Sequence, residues 1–229
     1  MKRLIEPELL DELPPEDARA IRSRADLRRL NCLMRHADII RANLASRLQN
    51  PPRCIAELGA GDGTVLLEVA RQMHTRWSGV RVLLVDRQRT VAAATLAKFA
   101  ELGWPAEAVT ADAFDWLAAE SNSADAIVAN LFLHHFADEK LAELLRLIAR
   151  RTNLFLACET RRTAPSFAVC HLLWLLGCNA VTRHDAVISM RAGFAGCELS
   201  ALWPANHERR TEERAVILFT HLFIAQRCS

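Results

Sequence analysis

Two carboxylates flank a glycine-rich turn that follows the first predicted strand. The stretch AELGAGDGTVLLEVA, residues 56–70, places Glu57 before the turn and Asp62 within it. Glycine-rich turns that open helices usually bind phosphate, because backbone N–H groups and the helix dipole attract anions. Here both acids would repel a pyrophosphate, Thr64 breaks the G-x-G-x-x-G spacing counted from Gly59, and a Walker loop would need a lysine. The turn therefore favours a cationic ligand without phosphate.

Two further acids follow the next two predicted strands. Asp86 comes directly after VLLV, and Asp112 lies in TADAF. Because the carboxyl ends of parallel strands meet at one edge of a sheet, we expect these carboxylates to face the crevice beside the glycine turn. S-adenosylmethionine suits such a crevice, since its sulfonium and ammonium groups are cationic. Its ribose hydroxyls can donate to Asp86 and its adenine amine to Asp112, and Phe114 is a candidate to pack on the adenine.

This ordered set of motifs resembles the class I S-adenosylmethionine-dependent methyltransferases. The fourth motif, NLFLHH at residues 130–135, resembles the ubiquinone and menaquinone biosynthesis-type branch, which methylates small molecules. The resemblance covers residues 50–160 and implies that residues 57–62 line the methionine part, Asp86 the ribose, and Asp112 with Ala113 the adenine. The predicted cofactor-binding residues are Glu57, Gly59, Ala60, Gly61, Asp62, Gly63, Asp86, Arg87, Asp112, Ala113, Phe114, Asn130 and Leu131.

The two histidines of the fourth motif are the candidate catalytic residues. His135, with His134 as the alternative, can act as a general base, because imidazole titrates near neutral pH. A packing or capping role stays open for each of them. No metal site is predicted, since the spacing of the cysteines and histidines at 170–184 matches no zinc pattern.

The elements that must position these groups are predicted from apolar periodicity. Two or three helices cover residues 8–49. Strands are then expected at 53–58, 80–85, 106–111, 125–130 and 153–158, with helices at 62–73, 87–102 and 138–150. A helical segment at 164–192 precedes two antiparallel strands, 197–202 and 215–226, joined by the polar loop WPANHERRTEER. The predicted fold is α/β: a doubly wound, mostly parallel, seven-stranded Rossmann-like sheet with an antiparallel C-terminal hairpin.

Three parts of the chain are distinguished. Residues 1–50 are expected to form an N-terminal helical cap over the carboxyl ends of the strands, and residues 51–229 the methyltransferase domain. Within that domain, residues 160–195 are expected to form a helical substrate-pocket segment. Its apolar side chains would roof the acceptor; they are Phe167, Leu172, Trp174, Leu175, Met190 and Phe194.

The fourth motif also restricts the methyl acceptor. Asn130-Leu131-Phe132-Leu133 differs from the Asn/Asp-Pro-Pro-aromatic motif of enzymes that methylate exocyclic base amines, and no Pro-Cys nucleophile is present there. The sequence therefore predicts an enzyme that methylates oxygen or carbon of a small aromatic, quinone- or polyketide-like molecule and releases S-adenosylhomocysteine. Two alternatives stay open: an RNA or protein methyltransferase, and a non-catalytic regulatory domain that binds S-adenosylmethionine.

The composition of the chain limits its expected partners, the redox state of its cysteines and its expected location. The chain has 229 residues, a net charge of +2 and seven cysteines without a CxxC pair, so no nucleic acid partner is required and the thiols are expected to stay reduced. The N-terminal stretch lacks an apolar leader, and the apolar run at 167–181 is shorter than a bilayer span. A cytoplasmic enzyme of bacterial secondary metabolism is expected, with a homodimer left open.

Overall fold

Three helices precede the sheet in the computed structural model, which describes residues 2–14, 16–205 and 209–228. They are α1 (Leu9–Glu12), α2 (Ala18–Leu33) and α3 (His36–Arg47). The side chain of Asp17 caps α2 by accepting a hydrogen bond from the Arg19 N–H. Arg35 joins α2 to α3 in the left-handed region, with φ of 55°. These helices agree with those predicted for residues 8–49.

A seven-stranded sheet forms the centre of the molecule, with strand order β3-β2-β1-β4-β5-β7-β6. Strands β1 to β5 are parallel, whereas β7 is antiparallel to both β5 and β6. The predicted fold class is therefore confirmed. The elements are β1 (Cys54–Leu58), α4 (Thr64–Met73), β2 (Arg81–Asp86), α5 (Ala93–Glu101), β3 (Ala106–Thr110), α6 (Ala113–Ala118), β4 (Ala124–Asn130), α7 (Asp138–Arg151), β5 (Thr152–Thr160), α8 (Ala164–Cys170), α9 (Ala180–Ala192), α10 (Glu198–Leu202), β6 (Arg209–Val216) and β7 (Thr220–Arg227).

Helices cover both faces of the sheet, because its central strands are apolar on both sides. In β2, Val82 and Leu84 pack on one face with α3, α4 and α5, while Leu83 and Val85 pack on the other with α6, α7 and α10. The strand order reverses between β1 and β4, and the crevice at such a reversal is where open α/β sheets bind ligands.

The C-terminal hairpin is built from other residues than predicted. The strand prediction for 197–202 is wrong: this segment contains α10, whose first N–H groups, of Leu199 and Ser200, donate to the carboxylate of Glu213. Residues 209–214 of the predicted loop belong to strand β6, while its residues 206–208 lie outside the described residues. Strand β6 is polar because it is an edge strand with solvent on one side. The predicted strand 215–226 is divided by the turn at 217–219.

Two predicted helices also differ in extent. The helix expected at 87–102 begins only at Ala93, because the Gln88 N–H donates to Asp86 and the Thr90 hydroxyl to the Gly61 carbonyl, which hold the preceding segment as a loop. The segment expected at 164–192 is two helices separated by a 3₁₀ turn, Leu173–Leu176, and by Gly177 at φ 71°. Within the described ranges, no helix combines the length and apolarity that crossing a bilayer requires.

Candidate functional site

The glycine turn after β1 needs glycine at a specific position. The N–H groups of Gly59 and Ala60 both donate to the Val85 carbonyl, which ties the turn to the end of β2. Gly59 has φ of 66°, and a Cβ atom there would lie 2.3 Å from the Phe132 ring. Because neither the backbone angle nor the space suits a side chain, the turn depends on glycine at this residue.

The cost of a side chain at Gly59 can be measured. We expect Gly59→Ala to lower the free energy of unfolding by about 2–3 kcal/mol, through left-handed strain and overpacking against Phe132. Gly61→Ala is the matched control, because Gly61 also has positive φ but a Cβ atom added to it would have no neighbouring atom within 4 Å. The control is expected to lose only about 1 kcal/mol in denaturant unfolding. Equal losses in the two variants would contradict the packing argument.

One cavity of about 640 Å³ lies above the carboxyl ends of the strands. Glu57 from β1, Asp86 from β2 and Asp112 after β3 all line it. Thirteen of the predicted site residues contribute to this lining: Glu57, Gly59, Ala60, Gly61, Asp62, Asp86, Arg87, Asp112, Ala113, Asn130, Leu131, His134 and His135. The structure thus brings together residues that are 78 positions apart at their extremes, from Glu57 to His135.

Gly63 and Phe114 are the two predicted site residues outside the lining. Gly63 precedes α4 with φ of 73°, close to the Leu84 side chain. The Phe114 ring packs edge-on against Phe136, with ring centroids 5.6 Å apart, and Phe136 itself lines the cavity. Phe114 therefore supports the wall of the cavity from behind.

Glu57 carries a carboxyl group without a compensating partner. Its side chain is 2% exposed, and Oε2 has no hydrogen-bond partner among the described residues. Burial, reinforced by the charges of Asp62 and Asp86, raises the pKa of Glu57 well above its ordinary value. A cation beside Glu57 would reverse this effect by favouring the charged form. The donor set therefore fits a positively charged group such as the sulfonium or ammonium of S-adenosylmethionine.

The other acids of the cavity are fixed by backbone hydrogen bonds. Asp86 accepts from the Gly61 N–H through Oδ2 and from the Gln88 N–H through Oδ1, at 2.8 Å each. Asp112 caps α6 by accepting from the Phe114 N–H at 2.8 Å. Carboxylate oxygens carry further lone pairs, so both side chains can still accept hydrogen bonds from a ligand.

Helix α2 closes the cavity with arginines that belong to none of the sequence motifs. Arg28 forms a 2.7 Å ion pair with Asp62, and Arg24 donates to the Gln88 side chain at 3.0 Å. Both arginines line the cavity together with Arg87. The site is therefore mixed in charge, which matches a ligand that carries cationic groups and one carboxylate.

His134 is a buried histidine that lies between two carboxylates. Its ring is 2% exposed, with Nδ1 at 2.7 Å from Glu159 and Nε2 at 3.3 Å from Glu8. Burial alone would lower the pKa of His134, but the hydrogen bonds and charges of Glu159 and Glu8 outweigh burial and raise the pKa to about 10. The ring is therefore a buried imidazolium at neutral pH, which cannot accept a proton.

His135 has the opposite properties. Its side chain is 26% exposed, and Nδ1 lies 3.4 Å from a carboxylate oxygen of Asp11. Burial and the positive charge of neighbouring His134 lower the pKa of His135, so the ring is neutral near pH 7. Because it is neutral, lines the cavity and has a carboxylate beside it, His135 has the features of a general base.

The same cluster contains groups that bind transition metals. Glu8, His134 and His135 offer ligand atoms within 4.8 Å of one another. The spacing of histidines and cysteines in the sequence predicted no metal site. In the structure, the proton on His134 supplies the positive charge between Glu8 and Glu159.

The N-terminal segment contributes residues that the sequence motifs did not assign to the site. Residues 5–8, Leu10 and Asp11 line the cavity. The segment is tied down by the N–H groups of Leu9 and Leu10, which donate to Asp185, and by the buried Glu8 carboxylate, which the Ser189 hydroxyl also contacts. The acids concentrated before residue 18 are the one signal in the sequence that could have indicated this contribution.

The apolar segment at 160–195 does not form the roof that its composition predicted. Thr160 and Ser189 are its contributions to the cavity lining. Leu172, Trp174 and Leu175 are exposed to solvent instead. Phe132 and Phe136 provide aromatic lining from the fourth motif, with ring centroids 5.1 Å apart.

A family model identifies the central part of the chain. Residues 55–153, just under half of the chain, match a model described as a methyltransferase domain. The match begins in β1 and ends in β5, and so includes the glycine turn and all three acidic strand ends. Among curated protein sequences, none matches the chain significantly.

Solved structures share the fold. An O-methyltransferase family protein of Burkholderia thailandensis is 20% identical with a TM-score of 0.59, over 93% of this chain and 61% of that one. The plantazolicin methyltransferase BamL, solved with a triazolic desmethylPZN analog and S-adenosylhomocysteine, is 14% identical with a TM-score of 0.66, over 95% of this chain and 92% of that one. Magnesium protoporphyrin IX methyltransferase of Synechocystis, with bound S-adenosylhomocysteine, is 16% identical with a TM-score of 0.54, over 85% and 83%. The chain spans 59% and 61% of the first two solved chains that it matches.

Proposed function

We propose that the chain, whose residues 55–153 match a methyltransferase domain, is a class I S-adenosylmethionine-dependent enzyme that methylates oxygen or carbon of a small aromatic acceptor. Quinone- and polyketide-like molecules are the acceptor classes we favour. The observation that carries the proposal is the meeting of Glu57, Asp86 and Asp112 in one cavity, with Glu57 buried and its Oε2 atom without a hydrogen-bond partner among the described residues.

Each part of the cofactor has a matching group in the cavity. Glu57 opposes the positive charge of the methionine part, and Arg28, already paired with Asp62, can also contact its carboxylate. Asp86 accepts hydrogen bonds from the ribose hydroxyls, and Asp112 accepts one from the adenine amine. Bound S-adenosylmethionine supplies an electrophilic methyl group, so the protein has only to align the acceptor, exclude water and remove a proton.

The proton-accepting group is His135. A phenol or enol acceptor lies in the aromatic part of the cavity, beside Phe132 and Phe136, with its hydroxyl hydrogen towards the neutral imidazole. His135 takes this proton as the acceptor oxygen or carbon forms its bond to the methyl group, and Asp11 orients and stabilises the resulting imidazolium. The buried imidazolium of His134 holds the loop in place and takes no proton.

The choice of a small acceptor rests on two observations. The aromatic side chains of the cavity suit a planar, apolar molecule, and the plantazolicin and protoporphyrin enzymes of the same fold are named for small-molecule acceptors. The arginines of α2 give little support to an RNA acceptor, because Arg19, Arg28 and Arg29 each pair with an aspartate.

Incubation with labelled donor and a panel of phenols and quinols tests the proposal. Transfer to none of them, with donor binding intact, would instead favour the regulatory-domain alternative.

The ribose assignment gives a separate prediction. Asp86→Ala is expected to weaken donor binding by about 1.5–3 kcal/mol, because two hydrogen bonds to a charged acceptor are lost. Titration calorimetry with S-adenosylhomocysteine measures this change. Asp115→Ala is the matched control, since Asp115 is an exposed acid of α6 outside the cavity lining. Unchanged affinity in Asp86→Ala would remove Asp86 from the cofactor site.

A further inference from the structure

An exposed apolar turn lies outside the cavity. It comprises residues 172–176 between α8 and α9, and we call it the apolar turn. Leu172, Trp174, Leu175 and Leu176 are 50%, 58%, 61% and 49% exposed. None of these residues lines the cavity described above. The proposed methyl transfer therefore does not explain why four large apolar side chains stand in water within five residues.

The apolar turn has a defined conformation. Leu173 is buried and anchors it, and Cys178 is buried directly after it. The Gly177 N–H donates to the Trp174 carbonyl at 3.0 Å, and the Cys178 N–H donates to the Leu173 carbonyl at 3.2 Å. Single exposed apolar residues are common, but a cluster held outward on a structured turn marks an interaction surface.

Charge favours an anionic partner for this surface. Residues 160–184 contain no aspartate or glutamate. Of their three arginines, Arg162 is buried and paired with Glu198, whereas Arg161 is half-buried. Arg183 is exposed, and in the described part of the chain no carboxylate lies within ion-pair distance of it. Asn179, just before α9, donates through its side chain to the Arg19 carbonyl of α2, and exposed Arg22 follows on the same helix three residues later. Cationic and apolar groups together suit a lipid surface with anionic headgroups.

The size of the surface argues against a second copy of the chain. A stable protein interface buries about 800 Å² on each partner. Four side chains, each exposed by about half, offer well below that area. Shallow insertion into a bilayer needs only a few apolar side chains, and tryptophan favours the boundary between headgroups and acyl chains.

We propose that the apolar turn inserts into the interfacial layer of an anionic membrane, with Arg22 and Arg183 against the lipid headgroups. The contact is peripheral. It goes beyond the proposed methyl transfer and does not depend on the identity of the acceptor.

Trp174 is a built-in reporter for this contact. The other tryptophans, Trp77, Trp104, Trp116 and Trp203, are at most 7% exposed. The full chain is mixed with vesicles of phosphatidylglycerol and phosphatidylcholine, and separately with vesicles of phosphatidylcholine alone. We expect co-sedimentation with the anionic vesicles and a blue shift of tryptophan emission, both weaker on neutral vesicles and at high salt.

Two matched serine variants locate the contact. Leu175→Ser is expected to lower the partition coefficient about tenfold, because one inserted leucine is lost. Leu33→Ser, on α2, is the control: Leu33 is 64% exposed against 61% for Leu175, but it lies outside the apolar turn. This control is expected to bind vesicles like the unchanged chain.

Three results would overturn the proposal. They are failure to co-sediment with either vesicle, equal loss of binding in both serine variants, and a lipid-free dimer that Leu175→Ser dissociates, which would make a second copy the occupant. Calorimetry with S-adenosylhomocysteine on the same samples distinguishes failure of the membrane proposal from failure of the proposed function. Neither substituted residue lines the cofactor cavity, so both variants should bind S-adenosylhomocysteine like the unchanged chain.

Discussion

Replacing His135 with alanine is expected to lower kcat by about 10²–10⁴-fold while leaving the affinity for S-adenosylhomocysteine unchanged. That range is the typical contribution of a general base to an enzymatic proton transfer. The neutral ring lines the cavity beside Asp11, whereas the adjacent His134 is a buried imidazolium. Turnover is measured with the phenolic acceptor that gives the highest rate with the unchanged protein, and affinity is measured by calorimetry.

Two further variants sharpen this test. His74→Ala is the control, because His74 follows α4 and lies outside the cavity lining. Its ring forms a hydrogen bond with the Arg71 carbonyl. This variant should turn over at the rate of the unchanged protein. Asp11→Asn should lower kcat less than His135→Ala. It should also move the acidic limb of the pH–rate profile, where His135 loses its proton, to lower pH, because a charge that favours the imidazolium is removed. Full turnover in His135→Ala would exclude His135 as the base.

Replacing Glu159 with alanine is expected to lower the free energy of unfolding by about 3–5 kcal/mol, because one partner of a buried ion pair is removed. Glu159 is fully buried and accepts from the N–H groups of Phe132 and Leu133 as well as from His134. Denaturant unfolding at pH 7 measures the loss. Glu143→Ala, which breaks the exposed pair with Lys140, is the control and should cost about 1 kcal/mol or less.

The pH dependence of stability tests the same cluster. The pKa of His134 is raised to about 10, so its contribution is complete below the ordinary value near 6.5 and is lost as pH rises through about 10. The pKa of Glu8 is lowered to about 2, with the bond to His134 outweighing burial, so its contribution is complete above about 4.5 and is lost as pH falls towards 2. The Glu159→Ala variant should show a weaker decline in stability between pH 7 and 10. Parallel curves for both proteins would contradict a buried imidazolium.

The central strands could be predicted from the sequence because their signals are local. Each of β1, β2 and β4 is a short apolar run with a polar residue at its carboxyl end or, in β1, one residue before it, and its side chains pack on both faces of the sheet. Glu57, Asp86 and Asp112, at or after the carboxyl ends of β1, β2 and β3, line one crevice because parallel strands share a carboxyl edge. Local composition was therefore sufficient for the central parallel strands and for the acidic part of the site.

The remaining parts depend on contacts between distant residues. Helix α10 forms where a strand was predicted, because the Glu213 carboxylate binds its first N–H groups from strand β6. Strand β6 looks like a loop in sequence, because an edge strand tolerates charged residues. Asp11 and Glu8 reach the histidines from more than 120 residues away, and no local pattern encodes that approach.

Direct comparison of two adenosine-containing ligands, one with a pyrophosphate and one without, tests the central claim most sharply. Calorimetry on the full chain should show binding of S-adenosylmethionine and none of NAD⁺, because Glu57 and Asp62 beside the glycine turn attract a sulfonium and an ammonium and repel a pyrophosphate. Glu57→Gln should weaken the binding of S-adenosylmethionine without creating affinity for NAD⁺. Binding of NAD⁺ in place of S-adenosylmethionine would contradict the account.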